Sequence, residues 1–229
     1  MILLALLVLA TTPAEPLPDL LARVEASETR VMSLYETGSF NVHTTWKSLD
    51  GAGKAKSTDE ADTRLYLKDG KPWEEITRFV DEGQDVTVRE NAKRKKELES
   101  GTRKRKDGVP FASPFAKDQQ ALYEFTDAGL DAKNPALRRI KFKPKQKSEK
   151  TYKGEALVDI ASGALRKLTM RPTVFPYFVN KLDVVMEMDA VTPAGPALSA
   201  LRVSAAGQLL FIKKRVEVEA AFSDYVAAP

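Results

Sequence analysis

His43 is the only histidine in the 229 residues, and cysteine is absent. A Ser-His-Asp or Cys-His apparatus would have to be built around that one imidazole, and no Gly-x-Ser-x-Gly nucleophile turn accompanies it. Glu74 and Glu75 form a carboxylate pair of the kind a glycosidase cleft uses as acid and base, but adjacent acids are equally at home on a solvated strand. Asp59-Glu60-Ala61-Asp62 and Asp81-Glu82-Gly83-Gln84-Asp85 lack the alternating ligands and closing glutamate of a calcium loop. They read as acids that keep edges and turns soluble. With no His/Cys ligand set, no metal is expected. With neither a G-x-x-x-x-G-K nor a G-x-G-x-x-G motif, no nucleotide cofactor is expected either. The residues point to a protein that binds rather than catalyses.

The ends and the charge narrow what it binds. Met1 to Ala10 is an unbroken apolar run followed by Thr11, Thr12, Pro13 and Ala14. That is the length of a signal-peptide core and too short for a membrane-spanning helix, which needs roughly 20 residues. The basic residues usual before such a core are missing, since the first Lys or Arg is Arg23. Residues 1–14 are read as a signal peptide and 15–229 as one β domain, exported to the periplasm, soluble and monomeric. Absence of cysteine removes a lipid-anchor motif and structural disulfides together. The net charge of +4 is unevenly spread: Lys93 to Lys106 carries a local +6, Arg138 to Lys153 a local +7, and the remainder −9. Two basic patches on a mildly acidic body read either as solvated loops and strand faces or as a surface for an anionic partner, such as a lipid headgroup or an acidic glycan, with peripheral membrane contact. The first patch holds no aromatic residue, so it lacks the stacking platform of a single-strand nucleic-acid groove. No nucleic-acid partner is expected.

The hydrophobic pattern supplies the elements. Pro16 to Gly38 predicts an amphipathic helix, with Leu20, Leu21, Val24, Val31, Leu34 and Tyr35 on one stripe and Pro18 in the first turn. From Phe40 the period changes to two: Phe40, Val42, Thr44 and Trp46 alternate with Asn41, His43, Thr45 and Lys47. Strands follow across 54–68, 73–80 and 85–88, with tight turns at Asp69-Gly70 and Asp81-Glu82-Gly83. Such short connections imply an antiparallel meander, because parallel strands need long crossovers. Residues 91–106 read as a charged helix or a solvated loop. Phe111 and Phe115 are candidate anchors into the core, and 120–126 is a strand. Further strands are expected over 137–143, 155–160, 164–170, 178–188 and 198–203, then a turn at Gly207 and a last strand over 209–222. The fold class is mainly β with α: a curved antiparallel sheet of about ten or eleven strands, an open or half barrel, wrapped on one or two helices.

The run Ile140-Lys141-Phe142-Lys143-Pro144-Lys145, then Tyr152 to Asp159 with its Val158-Asp159 pair, then Ser162-Gly163-Ala164-Leu165 resembles a known pattern. It is similar to the strand, Pro-Lys corner, strand and turn of the LolA/LolB-like periplasmic lipoprotein-carrier superfamily. About 70 residues carry the resemblance closely, and the remainder follows only in the order of elements. It implies an open β-barrel wrapped on helices with a hollow that holds acyl chains, and the soluble carrier type rather than the anchored acceptor.

From the residues themselves, a sheet closing incompletely around a helix leaves an apolar concave face. Phe40, Val42, Trp46, Ile140 and Phe142 are the candidate ligand-binding residues on that face, the alternative being plain core packing, and Lys141, Lys143 and Lys145 are the candidate patch for an anionic headgroup. The expected function is a periplasmic carrier or sensor for lipid or lipoprotein acyl chains. The alternative is a non-catalytic envelope interaction protein of the same fold, binding a protein partner or an acidic glycan through its basic loops.

Overall fold

The computed structural model describes residues 15–68, 71–100, 113–175, 177–209 and 212–228. The expected signal segment 1–14, the Asp69-Gly70 turn, the Phe111 anchor and residues 101–106 of the first basic run lie outside the described residues.

Helix α1 (Leu17–Thr37) has proline in its first turn, where no intrahelical donor is lost, and Asp19 near its positive end. Leu20, Val24 and Leu34 are its buried apolar residues, at helical spacing along one face. Strands β1 (Ser39–Leu49), β2 (Ala55–Lys68), β3 (Lys71–Asp81) and the short β4 (Gln84–Asp85) form the expected meander. Asp85 Oδ1 then accepts from the backbone nitrogen of Thr87 at 2.9 Å and from its hydroxyl at 2.6 Å, turning the chain out of the sheet. The strand expected over 85–88 therefore stops at Asp85, and Val88 lies in helix α2 (Thr87–Glu99). α2 runs along the sheet edge. Asn91 Nδ2 donates to the Ile76 carbonyl at 3.0 Å, and Arg94 pairs with Glu74 at 2.7 Å. An otherwise open strand edge is thus covered.

After α3 (Lys117–Gln120) come β5 (Tyr123–Leu130), β6 (Leu137–Pro144), β7 (Tyr152–Asp159), β8 (Leu165–Pro172) and β9 (Val179–Glu187). A small hairpin follows, β10 (Ala190–Thr192) and β11 (Gly195–Ala197), and then β12 (Ala200–Leu209) and β13 (Ile212–Val226). The hairpin was not foreseen. The turn expected at Gly207 is also absent: Gly207 lies inside β12, opposite Lys214 and Val179. A Cβ there would stand 2.4 Å from the Phe178 carbonyl oxygen, so this glycine permits a close approach of β9 rather than a reversal.

The main sheet has 11 strands in the order β4-β3-β2-β1-β13-β12-β9-β8-β7-β6-β5, antiparallel throughout. The last strand returns to pair with the first, joining two meanders. β4 and β5 stay unjoined, so the curved sheet is not closed into a barrel. The core is one cluster in which Leu20 and Val24 of α1 and Phe115 pack on Ile140, Phe142, Val158, Leu168 and Met170.

Candidate functional site

Strand alternation divides the sheet into an apolar concave face and a charged outer face. The register places one inward row across eight strands. Trp46 lies opposite Val218, which lies opposite Val203, then Val184, Met170, Gly154, Phe142 and Phe125. One apolar stripe therefore crosses from β1 to β5.

Among the described residues, helix and loop cover only part of this stripe. α1 packs against β8 and β11, and Phe115 is fully buried with its ring 5.2 Å from Phe125 and 5.7 Å from Phe142. Ile140 and Phe142 are 0% and 3% exposed. Phe40 is also buried, in an aromatic group with Tyr35, Phe222 and Tyr225. Leu198 ties that group down, its N–H donating to the Tyr35 hydroxyl and its carbonyl accepting from the Tyr225 hydroxyl, both at 2.7 Å. Burial raises the pKa of both phenols, holding them neutral. Three of the five expected ligand residues, Phe40, Ile140 and Phe142, are thus packed into the protein's own core.

Val42 and Trp46 are placed differently. Both stay half-buried, as do Val184, Val203 and Val218 of the same stretch, and the Trp46 ring stacks on Phe79 at 6.1 Å. From Val184 to Trp46 the half-exposed stretch spans roughly 14 Å, at about 4.8 Å per strand. Phe79, Val203 and Val218 were legible as inward positions of alternating strands but not as neighbours of Trp46, since β12, β13 and β1 meet only through pairing distant in sequence. A pocket near the end of α1, lined by Tyr35, Phe40, Leu65, Tyr66 and Trp73, holds about 50 Å³. That is room for a water or two, not for an acyl chain.

Lys141 and Lys143 alternate with Ile140 and Phe142, so they lie on the outer face, across the sheet from the apolar stripe. Lys145 is drawn away from them, its Nζ donating to the Ala121 carbonyl at 2.8 Å. A larger hollow, about 360 Å³, opens on this outer face between Glu124, Thr126, Lys141, Lys143, Lys153 and Arg171.

One buried acid stands apart from both surfaces. Glu28 of α1 accepts the Ser113 hydroxyl at 2.5 Å, and its second oxygen is shut off from solvent with no partner among the described residues. Burial pushes its carboxyl up to about 7, against the downward pull of the Ser113 hydrogen bond. His43 lies on the outer face beside Asp62, Nδ1 to Oδ1 at 2.6 Å. Among the described residues no group of acids, histidines or cysteines is arranged to hold a metal ion, and no helix is long and apolar enough to cross a membrane.

No sequence family and no curated protein matches this chain. Several solved structures are similar to it in fold. One is a LolA superfamily protein from Nitrosomonas europaea, at 8% identity and a TM-score of 0.36, covering 86% of this chain and 91% of that one. A second is a putative outer membrane lipoprotein-sorting protein domain from Vibrio parahaemolyticus, at 11% identity and a TM-score of 0.41, covering 89% and 90%. A third is the MucA/MucB complex of Pseudomonas aeruginosa, at 12% identity and a TM-score of 0.25, covering 89% and 99%. Likeness at this level transfers neither a ligand nor a residue role.

Proposed function

We propose that the protein is a periplasmic, non-catalytic binding protein that lays an acyl chain of a lipid or lipoprotein along the uncovered half of its concave face. One observation carries this reading: the inward apolar row continues past the helix-covered core through Val184, Val203 and Val218 to Trp46, which all stay half-buried. Each acyl methylene withdrawn from water against such a surface contributes about 0.8 kcal/mol. Export rests on the apolar run from Met1 to Ala10 and the small residues after it. Cleavage after Ala14 makes Glu15 the first residue, with its carboxylate held by Arg23 at 2.6 Å and its carbonyl by Arg138 at 2.5 Å. Native mass spectrometry of the protein purified from its own periplasm tests the reading. A bound acyl lipid is the expected result, and a purely ligand-free mass is the adverse one.

A second reading has its own support. The larger hollow is on the outer face and is lined by cations, which suits an envelope interaction protein that binds an acidic glycan or a protein partner through its basic surface. The two readings use opposite sides of the sheet and are separable by mutation.

A further inference from the structure

We infer that the outer-face hollow between β5, β6, β7 and β8 is a binding site for a phosphate-bearing, headgroup-sized ligand, held by Lys141, Lys143, Lys153 and Arg171.

The argument begins with register. Glu124 lies opposite Lys143, Phe142 opposite Gly154, and Lys153 opposite Arg171. Lys143, Lys153 and Arg171 therefore stand side by side on three adjacent strands. Like charges directly across a sheet are destabilising, so this row is a local cost that the fold carries. Elsewhere on the outer face several cations have acidic partners. There Lys47 pairs with Glu219, Arg78 with Glu60, and Lys167 and Arg202 with Glu187. In the hollow, Lys143 has a partner, Glu124 at 2.8 Å. Glu155, opposite Lys141, turns to Arg139 at 3.3 Å. Lys141, Lys153 and Arg171 have no ion pair among the described residues.

A Cβ at Gly154 would stand 1.9 Å from the Thr169 carbonyl oxygen, so β7 and β8 approach at this point as only glycine allows. The resulting hollow of about 360 Å³ is in the size range of small-molecule sites. Thr126 adds a hydroxyl to the wall. A planar guanidinium beside three ammonium groups matches the several acceptor oxygens and the charge of a phosphate ester better than a single carboxylate. The site is on the opposite side of the sheet from the acyl surface and stands whether or not that reading holds.

The test is a titration of the full chain with glycerol 3-phosphate, inorganic phosphate, phosphatidylglycerol vesicles and phosphatidylcholine vesicles, at low and raised salt. Lys153→Ala with Arg171→Ala should weaken phosphate-dependent binding by about tenfold or more. Lys145→Ala with Lys147→Ala removes the same net charge from the β6–β7 loop and should change it by less than about twofold. Glu124→Gln frees Lys143 and should tighten binding. Binding by glycerol 3-phosphate as well as vesicles assigns the site to the phosphoryl group itself, and binding only by phosphatidylglycerol vesicles assigns it to a lipid headgroup. Equal losses in the two double variants, equal binding of poly-glutamate, or no binding by any probe to the folded wild type would overturn the inference.

Discussion

Trp46 and Phe142 stand in the same inward row of the sheet, six strand steps apart, joined by Val218, Val203, Val184, Met170 and Gly154. Their surroundings differ because α1 and Phe115 cover one end of the row and leave the other half-exposed. The same binary pattern therefore makes a filled core at β6 and an open apolar surface at β1. Each end has its own consequences.

At the filled end, the helix should be indispensable to stability. Val24 is fully buried beneath the sheet, whereas Leu21 is only half-buried against the core. Val24→Asp is expected to destabilise the protein by several kcal/mol, about 3 or more, because a charge enters an apolar seam. Leu21→Asp should cost clearly less. Chemical denaturation of both variants gives the ordering, and equal or negligible losses would mean that α1 does not plug the sheet.

Glu28 should make stability depend on pH near neutrality. Its folded-state pKa is raised from 4.5 to about 7, so the folded protein binds more protons than the unfolded chain between those values. Stability from this group is complete below the lower value and is lost as pH rises through about 7. The loss should approach about 3 kcal/mol at pH 8. Glu28→Gln keeps an acceptor for Ser113 and carries no charge, so its stability should exceed wild type at pH 8 and converge on it near pH 5. Parallel pH profiles for the two proteins would exclude a proton held at Glu28.

Processing is checked by N-terminal sequencing of the protein from its native periplasm. Cleavage after Ala10 gives Thr11 as the first residue and cleavage after Ala14 gives Glu15. Recovery of intact Met1 from a cytoplasmic fraction would remove the envelope setting from both functional readings.

Much of the architecture was legible because local pattern and tertiary role agree. The period-3.6 stripe of α1 and the period-2 runs of β6 and β8 each bury the face that their sequence marks. Elements misread were those decided by a specific side-chain cap or by contacts remote in sequence. Val88 looks like a strand residue, but the Asp85 side chain caps Thr87 and starts α2. Gly207 looks like a turn, yet it serves the approach of β9. The candidate site was legible only in part for the same reason. Alternation separates Ile140 and Phe142 from Lys141 and Lys143, but which apolar residues a helix covers is set by packing. The cation row was hidden because Lys153 and Arg171 meet only through the pairing of β7 with β8.

The acyl-binding claim is tested most directly by titrating the protein with a fluorescent fatty acid while following energy transfer from tryptophan. Wild type should bind in the micromolar range, about −8 kcal/mol, with transfer from Trp46 and displacement by phospholipid. Val218→Glu, which places a charge directly opposite Trp46, or Val42→Glu, which places one further along the same half-exposed face of β1, should abolish binding while leaving the thermal melt intact. Lys153→Ala with Arg171→Ala should leave it unchanged. A folded wild-type protein that binds no fatty acid, or Val42→Glu and Val218→Glu variants that bind as well as wild type, would contradict the account.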